Sequence, residues 1–196
     1  MPKLYIIAGC NGAGKTTASY TILPDMLNCD EFVNSDEIAK RLSPNNPEES
    51  AIRASRLMMA RIDELIDKGE TFGVETTLAT RTLRRVIIRA QKKGYTVTLV
   101  YFWLKVPELA VERVKLRVEA GGHNVPEATI RRRYDVGIKH LFNLYMPICN
   151  YWILIDNSNN PSNIIAEGGT NVVTKIHNKT LYNQLINYER TRNERT

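Results

Sequence analysis

The chain has 196 residues, 43% of them apolar, and a formal net charge of +6. That size and apolar share suit one packed domain and exclude a disordered or fibrous chain. No apolar stretch reaches membrane-spanning length, the N-terminus lacks a signal pattern, and Cys10, Cys29 and Cys149 are too dispersed for a disulfide framework, so we expect a protein of the reduced cytoplasm with no membrane partner.

The first predicted element is a buried strand, Leu4-Tyr5-Ile6-Ile7-Ala8. It leads into Gly9-Cys10-Asn11-Gly12-Ala13-Gly14-Lys15-Thr16, a complete G-x-x-x-x-G-K-[ST] loop of the Walker A type, and Thr16-Thr17-Ala18-Ser19-Tyr20 can open a helix. Strand, loop and helix in that order are the context a phosphate-binding loop needs. Glycines let backbone N–H groups curl around phosphate oxygens, and the helix N-terminus adds its positive dipole end. The expected nucleotide-binding set is Asn11, Gly12, Ala13, Gly14, Lys15, Thr16 and Thr17. Lys15 supplies a point charge to the β- and γ-phosphates of ATP, and the Thr16 hydroxyl is the expected Mg²⁺ ligand.

Four more strands follow: Phe32-Val33-Asn34, Thr71 to Glu75, Thr96 to Leu104 and Tyr151 to Asp156. The continuous apolar run from Thr96 is of the kind buried on both faces of a parallel sheet. Between them lie helical patterns. Asn46-Pro47-Glu48-Glu49 is a start signal, and Ile52, Met58, Met59, Ile62, Leu65 and Ile66 then form one face that stops at Lys68-Gly69. Pro107 opens a helix ending at Gly121-Gly122, and Pro126 opens another with Ile130, Tyr134, Ile138, Leu141 and Tyr145 on one face. Strands alternating with helices predict an α/β fold: a parallel sheet of about five strands, helices on both faces and a small helical lid over about 107–140. Residues 1–180 are expected to form one domain, and 181–196 a polar tail or short helix.

Ligands of such sheets bind beyond the carboxyl ends of the strands. Ser35-Asp36-Glu37 follows the second strand and Glu75-Thr76-Thr77 the third, so two carboxylates converge where a γ-phosphate would sit. One can accept a proton from an attacking hydroxyl while the other orients substrate or holds the metal through water. Capping the helix of Ile38-Ala39-Lys40 is the alternative role for Asp36. Asp156 ends the last of these strands and is read as structural. Arg113 and Arg117 lie four apart on one helix face, and a turn at Gly121-Gly122-His123 would let the helix pair close over ATP. Of Arg131, Arg132 and Arg133, one or two can reach phosphates. The segment from Thr76 to Pro107 has no acid but holds Arg81, Arg84, Arg85, Arg89, Lys92, Lys93 and Lys105; such clustering attracts nucleic acid or a ligand with several phosphates, while Arg84 to Lys93 are read as a solvated helix face.

Taken in order, the phosphate loop, Asn34-Ser35-Asp36-Glu37-Ile38-Ala39, Glu75-Thr76-Thr77-Leu78 and Gly121-Gly122-His123-Asn124-Val125-Pro126-Glu127 with Ile130-Arg131-Arg132-Arg133-Tyr134 resemble the zeta toxin family over about residues 1–160. The Gly-Gly-His-x-Val-Pro segment marks a shorter, stand-alone branch, and Thr76 stands where toxin members often carry glycine. The resemblance implies an ATP- and Mg²⁺-dependent kinase acting on a hydroxyl of a sugar nucleotide such as UDP-N-acetylglucosamine or of another phosphorylated small molecule. It makes Asp36 the general base, Lys15 and Thr16 the nucleotide and metal residues, and Glu75 and Thr77 active-site contacts. Arg113 or Arg117 and Arg132 or Arg133 would clamp phosphates, and Arg56 would touch substrate. An antitoxin partner is known in the family and is not visible in one sequence. The competing readings are a nucleoside or polynucleotide-end kinase, although nucleic acid is not the expected partner, and a non-catalytic binding module ordered by nucleotide.

Overall fold

In a computed structural model, described here for all residues except 22–23, 25–27, 30, 45 and 194–196, one mixed sheet organises the chain. Its strands are β1 (Lys3–Ala8), β2 (Phe32–Val33), β3 (Phe72–Thr76), β4 (Thr96–Trp103), β5 (Tyr151–Asp156), β6 (Asn163–Gly169) and β7 (Val172–Ile176), in the spatial order β2-β3-β1-β4-β5-β6-β7. The first five are parallel, with β1 central between β3 and β4. That is why Leu4 to Ala8 read as an uninterrupted apolar run: every one of them is buried.

The seven strands exceed the five expected, and the sheet is not wholly parallel. The additional β6 and β7 form an antiparallel hairpin on the far side of β5. Both hold β-branched residues that favour strands, Ile164-Ile165 in β6 and Val172-Val173-Thr174 with Ile176 in β7, but neither alternates apolar and polar residues, and β6 ends in Gly168-Gly169. The pairing itself stabilises them.

The helices are α1 (Lys15–Thr21), α2 (Ser35–Leu42), α3 (Ala51–Lys68), α4 (Thr82–Lys92), α5 (Pro107–Glu119), α6 (Glu127–His140) and α7 (Lys179–Asn193). A 3₁₀ turn, Pro47–Ser50, precedes α3, and Asn46 Nδ2 donates to Glu49 Oε1 at its start (2.6 Å). On α3 the buried face is Ala54, Met58, Ile62, Leu65 and Ile66, whereas Ile52 stays 73% exposed because it lies two residues before Ala54, about half a turn round the helix from it. The apolar face of α6 continues through a π-helical turn, Leu141–Tyr145, and Ile130, Tyr134, Ile138, Leu141 and Tyr145 are all buried. α7 packs on α6 and β6, burying Leu185 completely, and Tyr188 Oη donates to Asp135 Oδ1 (2.5 Å). No helix among the described residues is long and apolar enough to cross a membrane.

Candidate active site

Parallel alignment brings the carboxyl ends of β1, β2 and β3 side by side, and the site is built there. β1 ends at Ala8, and the loop 9–14 carries the chain into α1, whose first residues are Lys15 and Thr16. Lys15 Nζ donates to the Cys10 carbonyl (2.9 Å), folding the side chain back over its own loop. Burial pushes the Lys15 ammonium below its ordinary pKa; Cys10, Glu75 and Asp36 oppose that shift and Arg117 adds to it. Lys15 is half-buried, so its charge is less screened by water than that of a surface lysine.

Glu75, at the end of β3, is 6% exposed. It accepts a hydrogen bond from Thr16 Oγ1 at 3.0 Å. Burial raises its pKa, while Lys15, Thr16, Asn34 and Ser19 act in the other direction. Asn34 and Ser19 are additions to the site residues expected from the sequence. Asn34 is the N-cap of α2: its Oδ1 accepts from the Asp36 backbone N–H at 2.8 Å. The cap is therefore Asn34 and not Asp36, whose carboxylate is left exposed at the second helical position. An Asn directly before Ser-Asp-Glu is a helix-start signal legible in sequence.

Asp36 contributes to the fields at Lys15 and at Arg133. Arg133 Nη1 donates to Asn11 Oδ1 in the phosphate loop (3.2 Å), so α6 already touches the loop from above. Burial lowers the Arg133 pKa, Asp36 opposes the shift and neighbouring Arg132 adds to it. Arg132 itself is exposed. Arg131 points elsewhere, into ion pairs with Glu108 (2.7 Å) and Glu127 (2.8 Å). Of α5, Arg117 donates to the His123 carbonyl (2.7 Å), stapling the turn between α5 and α6, and Arg113 donates to the Ser158 carbonyl (3.0 Å). Asp156 is buried, with Ser158 N–H (2.9 Å) and Lys105 (3.3 Å) as partners, in keeping with a structural role.

The segment after Glu75 is held under strain. Leu78 is fully buried with φ +56°, a left-handed conformation that disfavours a branched side chain by about 1–2 kcal/mol. Thr76 Oγ1 accepts from Leu78 N–H (3.0 Å), His140 Nδ1 donates to the Leu78 carbonyl (2.7 Å) and Tyr145 Oη donates to the Thr80 carbonyl (2.6 Å). The Thr77 carbonyl packs against Gly137 of α6, where a Cβ would lie only 2.6 Å away. Thr77 and Leu78 are thus held by the same helix that brings Arg133 to the loop.

Arg56 stands apart. It is exposed on α3, lining an open groove of about 590 Å³ with Ile52, Ser55, Met59, Ala60 and Asp63, and no hydrogen bond or ion pair joins it to the phosphate-loop cluster. Thr17 is exposed one residue beyond Thr16. On α4, Arg89 pairs with Asp63 and Asp67 and Lys93 approaches Asp67 (3.6 Å), so part of that basic run is neutralised by α3. Among the described residues no group of three His, Cys, Asp or Glu side chains could cage a metal ion.

Comparisons with known proteins match the sequence and the fold. The zeta toxin family model matches residues 1–139. A curated Haemophilus influenzae protein, described only as uncharacterized, is 30% identical over 132 residues, 67% of this chain and 92% of its own length. Among solved structures, the fold is similar to a chain of the AvrRxo1-ORF1:AvrRxo1-ORF2 complex (TM-score 0.73, 16% identity), covering 94% of this chain and 63% of that one. The same complex has been solved with ATP. A chain of the Streptococcus pneumoniae PezAT toxin–antitoxin system matches with a TM-score of 0.64 at 14% identity, covering 100% of this chain and 87% of its own. The chain therefore spans under two thirds of the length of the AvrRxo1 partner it matches.

Proposed function

The chain belongs to the zeta toxin family, and from that premise we propose that it is an ATP-dependent kinase transferring the γ-phosphate to a hydroxyl of a sugar nucleotide or another phosphorylated small molecule. The observation that carries the reading is that Asp36, freed from capping by Asn34, sits in the field of both Lys15 and Arg133. A nucleotide-dependent binding module needs no carboxylate there.

In the proposed reaction Asp36 accepts the proton of the acceptor hydroxyl as its oxygen attacks the γ-phosphorus, and the bond to the β-phosphate oxygen breaks to release ADP. Lys15 and Arg133 neutralise the transferring phosphoryl group, joined by Arg117 and Arg132 when the α5–α6 pair closes. Thr16 Oγ1 and the buried Glu75 carboxylate, 3.0 Å apart, suit a Mg²⁺ that keeps most of its water: the site offers two oxygen donors, and its desolvated carboxylate gains from a nearby cation. Once bound, that ion supplies charge neutralisation at the β- and γ-phosphates. Glu75, Thr77 and Arg56 are the proposed acceptor contacts. The pairing of Arg89 and Lys93 with α3 carboxylates favours a small-molecule acceptor over a polynucleotide end. A protein antitoxin is included among the proposed partners, since the PezAT chain belongs to a toxin–antitoxin system.

The test is a panel of sugar nucleotides and nucleosides incubated with Mg·ATP, with transferred phosphate read by mass. For the best acceptor, Asp36→Asn should lower turnover by roughly two to four orders of magnitude while ATP affinity stays within a few-fold. Turnover near the wild-type rate in that variant would remove Asp36 as the base.

A further inference from the structure

The turn after β5 reaches back to the phosphate loop. Asn157 Nδ2 donates to the Ala13 carbonyl at 2.8 Å, bridging 144 residues of sequence. Its own backbone N–H donates to the Trp103 carbonyl at the end of β4 (2.9 Å), so the amide is anchored on the sheet. The next residue is held equally firmly. Ser158 N–H donates to Asp156 Oδ1 (2.9 Å), Ser158 Oγ accepts from Lys105 N–H (2.9 Å), and the Ser158 carbonyl accepts from Arg113 (3.0 Å).

The phosphate loop is gripped between this turn and α5. A Cβ on Gly12 (φ +77°) would lie 2.8 Å from the Ala110 carbonyl and 3.3 Å from Arg113 Cβ. A Cβ on Gly14 (φ +87°) would collide with the Asn157 amide. The Ala13 peptide matters because it is planar and trans, so its C=O and the Gly14 N–H point in opposite directions. Tying the carbonyl outward to Asn157 turns the Gly14 N–H inward, toward the concave side where phosphate oxygens are received.

We propose that Asn157 is a positioning residue of the nucleotide site, holding the Ala13–Gly14 peptide in its anion-receptive orientation, with Arg113 and Ser158 fixing the turn that presents it. The inference rests on the nucleotide-binding reading of the loop but not on the identity of the acceptor. Binding is therefore measured directly, by calorimetric titration of Mg·ADP and, in competition with it, AMP. Asn157→Ala should weaken Mg·ADP about 3–10-fold, the effect of one lost hydrogen bond. Asn157→Asp should weaken it further, because a carboxylate would oppose both the Ala13 carbonyl and the phosphates. AMP should lose less than Mg·ADP, since the affected N–H groups serve the phosphates. In the unsubstituted protein, Mg·ADP should slow amide hydrogen exchange at residues 157–159 together with residues 12–16. Wild-type affinity in Asn157→Ala, an equal loss for AMP and Mg·ADP, or no protection at residues 157–159 would each overturn the inference while leaving the kinase reading intact. A wild-type protein that binds no nucleotide would overturn both.

Discussion

Two side chains of the site carry charge against their own burial, and their titration makes the site testable residue by residue. The Glu75 pKa is raised in the folded protein, mainly by desolvation. The unfolded chain therefore releases the Glu75 proton first as pH rises, and folding stability is lost from the ordinary carboxyl value of 4.5 upward until the folded group has also ionised. Glu75→Gln should accordingly raise the melting temperature of the nucleotide-free protein at neutral pH, with the gain vanishing below the ordinary carboxyl range, while weakening Mg²⁺-dependent nucleotide binding. A stability difference that persists unchanged into acid would show that packing, not charge, is responsible. The arginines of α6 divide just as sharply. Arg131 is occupied by Glu108 and Glu127 at the surface, whereas Arg133 touches Asn11 in the loop. Arg133→Ala should cost turnover about 10²–10³-fold, the scale of a lost transition-state donor, and Arg131→Ala should leave turnover within about twofold. Equal effects in steady-state assays would mean that α6 acts as one body and that the Asn11 contact has no special role.

Among the elements, α2 is the one whose local chemistry shapes the site. Asn34 caps it, and the same residue helps hold Glu75 in its charged form, so the start of the helix and the end of β3 share one side chain. Asn34→Ala should destabilise the protein by about 1 kcal/mol, a fall of roughly 2–4 °C in Tm, and Asn34→Asp should restore the cap bond but not the bond to Glu75, leaving Tm below that of the unsubstituted protein. Asp36→Ala should cost clearly less in the same melting experiment, because its carboxylate bonds no helix N–H. α6 and the π-helical turn play the matching part on the other side. They hold the strained Leu78 segment through His140 and Tyr145 while placing Arg133 on the phosphate loop.

At the scale of the whole molecule, the C-terminal helix is tied into the core through Leu185 and through the Tyr188–Asp135 bond to α6. Leu185→Ala should cost about 2–5 kcal/mol, read as a fall of several degrees in a single cooperative melting transition. An unshifted transition would mark α7 as an appendage. What the sequence determined by itself was local and periodic. The phosphate loop between a strand and a helix, the five parallel strands, the buried face of α6 and the family were legible because each is written in contiguous residue types. Tertiary structure decided whatever depends on partners distant in the chain. β6 and β7 hold β-branched residues without an alternating pattern, and antiparallel pairing onto β5 decides that they are strands. The three neighbouring arginines of α6 separate by the face of the helix each occupies, Arg131 toward glutamates and Arg133 toward the loop. Asn157, the first residue after β5, meets Ala13 only because β4 alone separates the end of β5 from the end of β1. Hydrogen bonds to backbone carbonyls leave no residue pattern, so contacts of that kind become visible only once the sheet is assembled.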